Sequence, residues 1–172
     1  MHISTGEDGA VNVRNNGFVP AAVLLRPAEV VDVDGMVQCV QMAYQHFVAR
    51  IGQPPAPMLD DYARLIHERM VFVAMAASTV AGVLVLRETD EGFLLDNVAV
   101  HPTYQRQGIG KMLLDHAEQC ALAAGHDSIF LYTNELMVEN RYLYARIGYR
   151  EYDRRTEQGL SRIYMRKHLV AV

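Results

Sequence analysis

Apolar and polar positions fall into two alternating periods along this chain. Runs of strand length, rich in β-branched and bulky apolar residues, occur at 22–28 (AVLLRPA), 71–76 (VFVAMA), 80–86 (VAGVLVL), 93–101 (FLLDNVAVH) and 128–134 (SIFLYTN). Between them lie helical stripes. One spans 32–47, with Met36, Val40, Ala43 and Phe47 on one face. It stops at RIGQPPAPM, where three prolines in four residues cannot continue a helix. Asp60-Asp61 opens a second, short helix, with acids in the first turn where the helix dipole favours them. A third stripe, Gly108 to Ala124, aligns Ile109, Leu113, Ala117 and Cys120 or Ala121, and Gly125 stops it. A fourth helix is predicted over 137–147, ended by Gly148, and a last pair of strands over 149–155 and 161–167. Residues 1–21 are polar and predict a flexible extension or a short added strand. The remainder, 22–172, reads as one domain. The order is strand, two helices, three strands, helix, strand, helix, strands. That is an α/β (α+β) chain with a mixed sheet, and the strand–helix–strand piece from Phe93 to Asn134 should pair in parallel by a right-handed crossover.

Composition narrows the picture. The chain has 172 residues and a formal charge of −4, from 16 basic and 20 acidic side chains. That argues against nucleic-acid or acidic-membrane partners, which call for a basic face. The uncharged stretch Met70–Leu86 is shorter than the ~20 apolar residues of a membrane helix. Ala77-Ser78-Thr79 also breaks it, so it predicts two buried strands and a turn. Cys39 and Cys120 have no paired spacing and read as buried thiols in a reducing compartment. The first residues lack a basic region and an apolar core, so no secretory signal is expected and a cytoplasmic location is. The histidines show no ligand spacing, and no metal is expected.

The candidate chemistry sits in YQRQGIGKML, Tyr104–Leu113, where a strand hands over to a helix. A helix start exposes unpaired N–H groups that attract an anion. Gly108 and Gly110 bare the backbone there, and Arg106 and Lys111 add charge. A phosphate-binding P-loop would need glycine at 105 and Ser or Thr at 112, where Gln and Met stand; a dinucleotide fingerprint would need glycine at 113, which is Leu.

Gln105-Arg106-Gln107-Gly108-Ile109-Gly110 instead resembles the Q/R-x-x-G-x-G/A signature of the GNAT acyl-CoA-dependent N-acetyltransferases, and ENRYLYARIGYRE resembles that family's later N-x-x-x-Y…G-[FY] helix. The resemblance covers residues 22–168 in element order. It implies a twisted mixed sheet with helices on both faces, whose central parallel strands splay apart and take acetyl-CoA between them. Carried over by position, the backbone of Gln107, Gly108, Ile109, Gly110 and Lys111, with Arg106, would hold the pyrophosphate. Val98, Ala99 and Val100 would pair with the pantetheine arm, and Asn140 would touch it. Tyr144 falls at the family's usual acid position, and it shares a helix face with Asn140 four residues before it. Tyr142, about 200° round the wheel, should point elsewhere. Asp96, on the strand leading to the cofactor, is the candidate base, and Asn97 beside it should face the other way. His101, held next to Pro102, reads as a loop residue.

The acceptor is a small-molecule or peptide amine of unread identity. The resemblance puts its groove at residues 45–62 and 154–159, where Asp60 and Asp61, with Glu68 beyond, are acids able to attract an amine. The competing reading is a catalytically silent acyl-CoA-binding sensor or interaction module. A homodimer through exposed sheet edges is compatible with the pattern.

Overall fold

The computed structural model describes residues 22–170. The expected extension at 1–21 lies outside the described residues. The elements are β1 (Val23–Pro27), α1 (Val33–Ile51), α2 (Tyr62–Glu68), β2 (Met70–Ala76), β3 (Thr79–Thr89), β4 (Gly92–Val100), α3 (Ile109–Ala123), β5 (Ser128–Asn134), α4 (Val138–Arg146), β6 (Arg150–Glu157) and β7 (Leu160–His168). The seven strands form one mixed sheet in the order β1-β2-β3-β4-β5-β7-β6. Among the described strands only β4 and β5 pair in parallel, joined by the α3 crossover. The uncharged run at 70–86 is the β2–β3 hairpin, and among the described residues no helix is long and apolar enough to cross a membrane.

Helices cover both faces, so β3 is buried almost end to end instead of alternating. On one face Leu84, Leu86, Phe93 and Leu95 pack under Ile109, Leu113 and Ala117 of α3. On the other, Val71, Val73, Val83, Val85 and Ala99 pack under Met36, Cys39 and Val40 of α1 and Tyr62 and Leu65 of α2. The α3 contact is tight at Gly82, where an added Cβ would come within 2.9 Å of Leu113 Cδ1 and 3.1 Å of Ile109 Cγ2. This close seat fixes the start of α3 against the sheet. Helix α1 runs four residues beyond its expected end at Phe47 and stops at Gly52, whose φ of +84° closes it.

Candidate active site

The site begins where two strands part. β4 and β5 are in register only at Phe93–Ile129 and Leu94–Phe130. Beyond those pairs β4 follows β3 and β5 follows β7. The divergence coincides with a bulge. Val85 faces Asn97 and Leu86 faces Leu95, so Asp96 is an extra residue on β4. A bulge bends its strand and re-aims side chains. Here it corrects the strand alternation assumed for the Asp96-Asn97 pair. Both residues line the same cavity, while Leu95 and Val98 pack with the α3-side core.

Two spaces open from the gap. A groove of about 380 Å³ runs along Val98, Ala99 and Val100 of β4 to Gln105, Arg106 and Gly110. A deeper cavity of about 200 Å³ lies between β4, β5, the α1–α2 linker and the start of β7. They share four residues: Tyr44, Val98, Asn140 and Tyr144.

At the far end of the groove the turn before α3 is braced by its own side chains. Gln105 Nε2 donates to Val100 O at 3.2 Å, and Gln107 Nε2 to Thr103 O at 3.2 Å. Arg106 and Gly108 both sit in the left-handed region, at φ +61° and +85°. Only the glycine adopts it freely, and such strain in Arg106 costs about 1 kcal/mol. Gly108 N-caps α3 with no side-chain cap, and the first intrahelical bond is Met112 N to Gly108 O at 3.0 Å. The N–H groups of Gly108 through Lys111 are therefore open to an anion. The Lys111 ammonium pairs with Asp115 at 2.5 Å and does not line the groove, so what Lys111 presents at the turn is its backbone N–H.

Tyr144 projects from α4 into the junction of the two spaces. It is 7% exposed and packs edge-on against Tyr149 at 5.7 Å. Burial pushes its phenol up to about 12, so it keeps its proton at neutral pH. Asn140, one turn earlier, lies within 3.7 Å of Met137 Sδ. Tyr142 is 68% exposed and faces away. His101 lies off the site, its Nδ1 accepting from Thr103 N at 3.3 Å.

The cavity walls are more charged than the sequence led us to expect. Asp96 is bound by Arg69, and Tyr132 donates to its second oxygen at 3.5 Å. Of the three acids noted near the acceptor groove only Asp60 lines the cavity. Asp61 caps α2 by accepting from Arg64 N at 3.1 Å, and Glu68 pairs with Arg64 at 3.6 Å. Burial, then the nearby Asp96 charge, raises the Asp60 carboxyl above its ordinary range. Asn97 is held at both ends: Tyr44 donates to its Oδ1 at 2.8 Å and its Nδ2 donates to Tyr62 Oη at 3.1 Å. Tyr44 is also 3.2 Å from Val98 O. Sequence reasoning missed Tyr44, Asn97, Arg69, Arg87 and Arg162. The one available signal was the polar pair Asp96-Asn97 inside an otherwise apolar strand.

The family model described as "Acetyltransferase (GNAT) domain" matches residues 67–151, which run from the end of α2 into β6 and include both motifs. The chain is 29% identical over 101 residues to the uncharacterized N-acetyltransferase YvbK of Bacillus subtilis (strain 168), covering 58% of this chain and 63% of that protein. The chain thus matches somewhat under two thirds of that relative's length. Among solved structures it is similar to the PaiA N-acetyltransferase from Thermoplasma acidophilum in complex with coenzyme A (TM-score 0.72, 18% identity, 86% of this chain and 99% of that one). It is also similar to the ribosomal-protein-S18-alanine N-acetyltransferase from Escherichia coli (TM-score 0.69, 20% identity, 88% and 96%). A third is a GNAT family acetyltransferase from Elizabethkingia anophelis with acetyl-CoA bound (TM-score 0.63, 19% identity, 86% and 98%). At these identities the structures establish the fold.

Proposed function

We propose that this chain, which belongs to the GNAT superfamily, transfers the acetyl group of acetyl-CoA to a primary amine by direct attack. One observation carries the reading: Tyr144 stands in the wall shared by the groove and the cavity. A donor and an acceptor entering from opposite sides meet at its hydroxyl.

The residues fit the cosubstrate. The open N–H groups of Gly108 through Lys111, with Arg106 and Gln107 just before them, suit a diphosphate. The β4 edge at Val98, Ala99 and Val100 has no strand on its β5 side and suits an amide-bearing arm. Asn140 lies where that arm would end. When bound, acetyl-CoA supplies the acyl group as a thioester.

Two protons have to move. An amine of ordinary pKa near 10.4 costs roughly 4.6 kcal/mol to neutralise at pH 7. Asp60 and Asp96 are the carboxylates facing it. Arg69 holds Asp96, whereas Asp60 has no ion-pair partner among the described residues and its carboxyl is raised by burial, so we assign the proton first to Asp60, with Asp96 supporting it. At the other end, the Tyr144 phenol near 12 lies about 3.5 units above an ordinary thiol near 8.5. Full transfer ahead of bond breaking would cost roughly 5 kcal/mol. Tyr144 therefore acts as a hydrogen-bond donor to charge developing on sulfur, with the proton crossing late.

The test is thiol release from acetyl-CoA against a panel of amines, with calorimetry of coenzyme A. Tyr144→Phe should lower kcat about 100-fold or more while binding coenzyme A as the parent does. Unchanged turnover would remove Tyr144 from the chemistry. Absence of coenzyme A uptake by the parent would remove the whole reading.

A further inference from the structure

The deep cavity holds a charge pattern that the transfer of an acetyl group to an amine does not by itself require. Three arginines line it, Arg69, Arg87 and Arg162, and two carboxylates, Asp60 and Asp96. Two of the arginines are satisfied. Arg69 holds Asp96, and Arg162 pairs with Glu157 while its guanidinium covers the Tyr132 ring at 4.7 Å. Glu157 is further engaged by Tyr164, which donates to it at 2.9 Å. Arg87 is different. Its Nε is buried with no hydrogen-bond partner, and among the described residues its guanidinium takes part in no ion pair. Asp60 likewise has no ion-pair partner among the described residues.

Keeping a guanidinium N–H off water without a partner is costly, and such an atom in a native protein calls for an explanation; here the Nε of Arg87 is buried while the residue as a whole is only half-buried. Arginine also presents a planar fork that matches a carboxylate at two points. Arg87 comes from β3 and Asp60 from the linker before α2, so the unanswered cation and the unanswered anion stand on different elements. We infer that the acceptor is a small amine that also carries a carboxylate, an amino acid in the broad sense, with its carboxylate on Arg87 and its ammonium toward Asp60. This rests on the acetyltransferase reading for the amine, but the Arg87 subsite is testable without turnover.

Two measurements separate the claims. The first is thermal melting of the full chain, without acetyl-CoA, with the amino acid 5-aminovalerate at millimolar concentration. The parent should melt higher with 5-aminovalerate, and Arg87→Gln should show no response. Arg87→Gln alone should melt no lower than the parent, because it removes an uncompensated charge; a structural arginine would cost stability. No shift in the parent, an equal shift in the variant, or a marked loss of stability in ligand-free Arg87→Gln would each overturn the subsite. The second is kcat/KM for amino acids against the corresponding amino-acid amides, which keep the amine and lose the charge. The acids should be preferred by at least about 30-fold, the worth of a charge-assisted hydrogen bond near 2 kcal/mol. Arg87→Gln should erase that preference through KM and leave the amides unchanged. Equal use of acids and amides by an active parent would refute the inference. A parent that responds to 5-aminovalerate but takes up no coenzyme A would instead refute the acetyltransferase reading and leave the carboxylate subsite standing.

Discussion

Arg69 and Arg87 stand on the same cavity, yet removing them should act on stability in opposite ways, and the pairing of Asp96 decides it. Arg69 and Asp96 are 20% and 11% exposed at the side chain, and among the described residues the carboxylate has one further hydrogen bond, the long one from Tyr132. Arg69→Gln leaves that carboxylate in a largely dry wall with its principal partner gone. Breaking a buried pair by removing one member costs about 3–5 kcal/mol. Partial exposure here and the Tyr132 hydroxyl place the expected loss at about 2–3 kcal/mol. Asp96→Asn removes the opposite member and strands the guanidinium, with a loss of the same order. The double variant should cost less than the sum, leaving a coupling of about 1–2 kcal/mol. In a chain of this size the single losses lower Tm by roughly 4–12 °C. Urea unfolding of the parent, both singles and the double, without coenzyme A, measures the whole cycle. A loss below about 0.5 kcal/mol for Arg69→Gln at unchanged m-value would show that water supports Asp96 as well as Arg69 does. The positioning argument for the Asp60–Asp96 pair would then fail.

The same geometry carries two shorter expectations. Gly108→Ala should cost about 1 kcal/mol through its φ of +85° and no more, since nothing lies within 4 Å of the added Cβ; coenzyme A affinity by calorimetry should fall with it. A fall in stability far beyond that would mean the turn is packed in a way the open space around Gly108 denies. Asp60 works as a base only when deprotonated, and its carboxyl is raised above the ordinary range. Activity should therefore decline as pH falls through that raised value, and Asp60→Asn should lose both most of its kcat/KM and this acid limb. An acid limb unchanged in the variant would move the base elsewhere.

How much of this was legible beforehand follows from which forces act over short stretches of chain. All seven strands and four helices announce themselves in the sequence, because hydrophobic period, prolines at 54–57 and glycines at 52, 125 and 148 are local signals. The helix-start turn was legible for the same reason: Gly108 and Gly110 mark bare backbone whatever packs around them. What the sequence hid was set by register. A single extra residue at Asp96 turned Asn97 into the cavity and cancelled the alternation that a regular strand imposes. The partners of that bulge come from far along the chain: Arg69 from the end of α2, Tyr44 from α1, Tyr132 from β5. A tyrosine at 44 within a helical stripe has no local feature that separates it from a packing residue. Its role appears only when α1 is laid across the open edge of β4.

The cavity therefore owes its existence to a local irregularity and its chemistry to distant residues. The bulge frees β4 from β5 and opens the gap. The gap in turn lets Tyr144 stand between a groove floored by the apolar Val98–Val100, with Arg106 at its turn, and a cavity that holds three arginines and two carboxylates. On the proposed reaction that asymmetry has a physical use. A thioester arm needs backbone donors and acceptors and little charge, whereas an amine must be drawn in as a cation and then stripped of a proton. One continuous cavity would expose the arm to the arginines and carboxylates and the acceptor to the anion-binding turn. Separating the two by a layer made of Tyr44, Val98, Asn140 and Tyr144 would let each half carry the electrostatics its proposed ligand requires, with the protonated phenol of Tyr144 at the point where they meet.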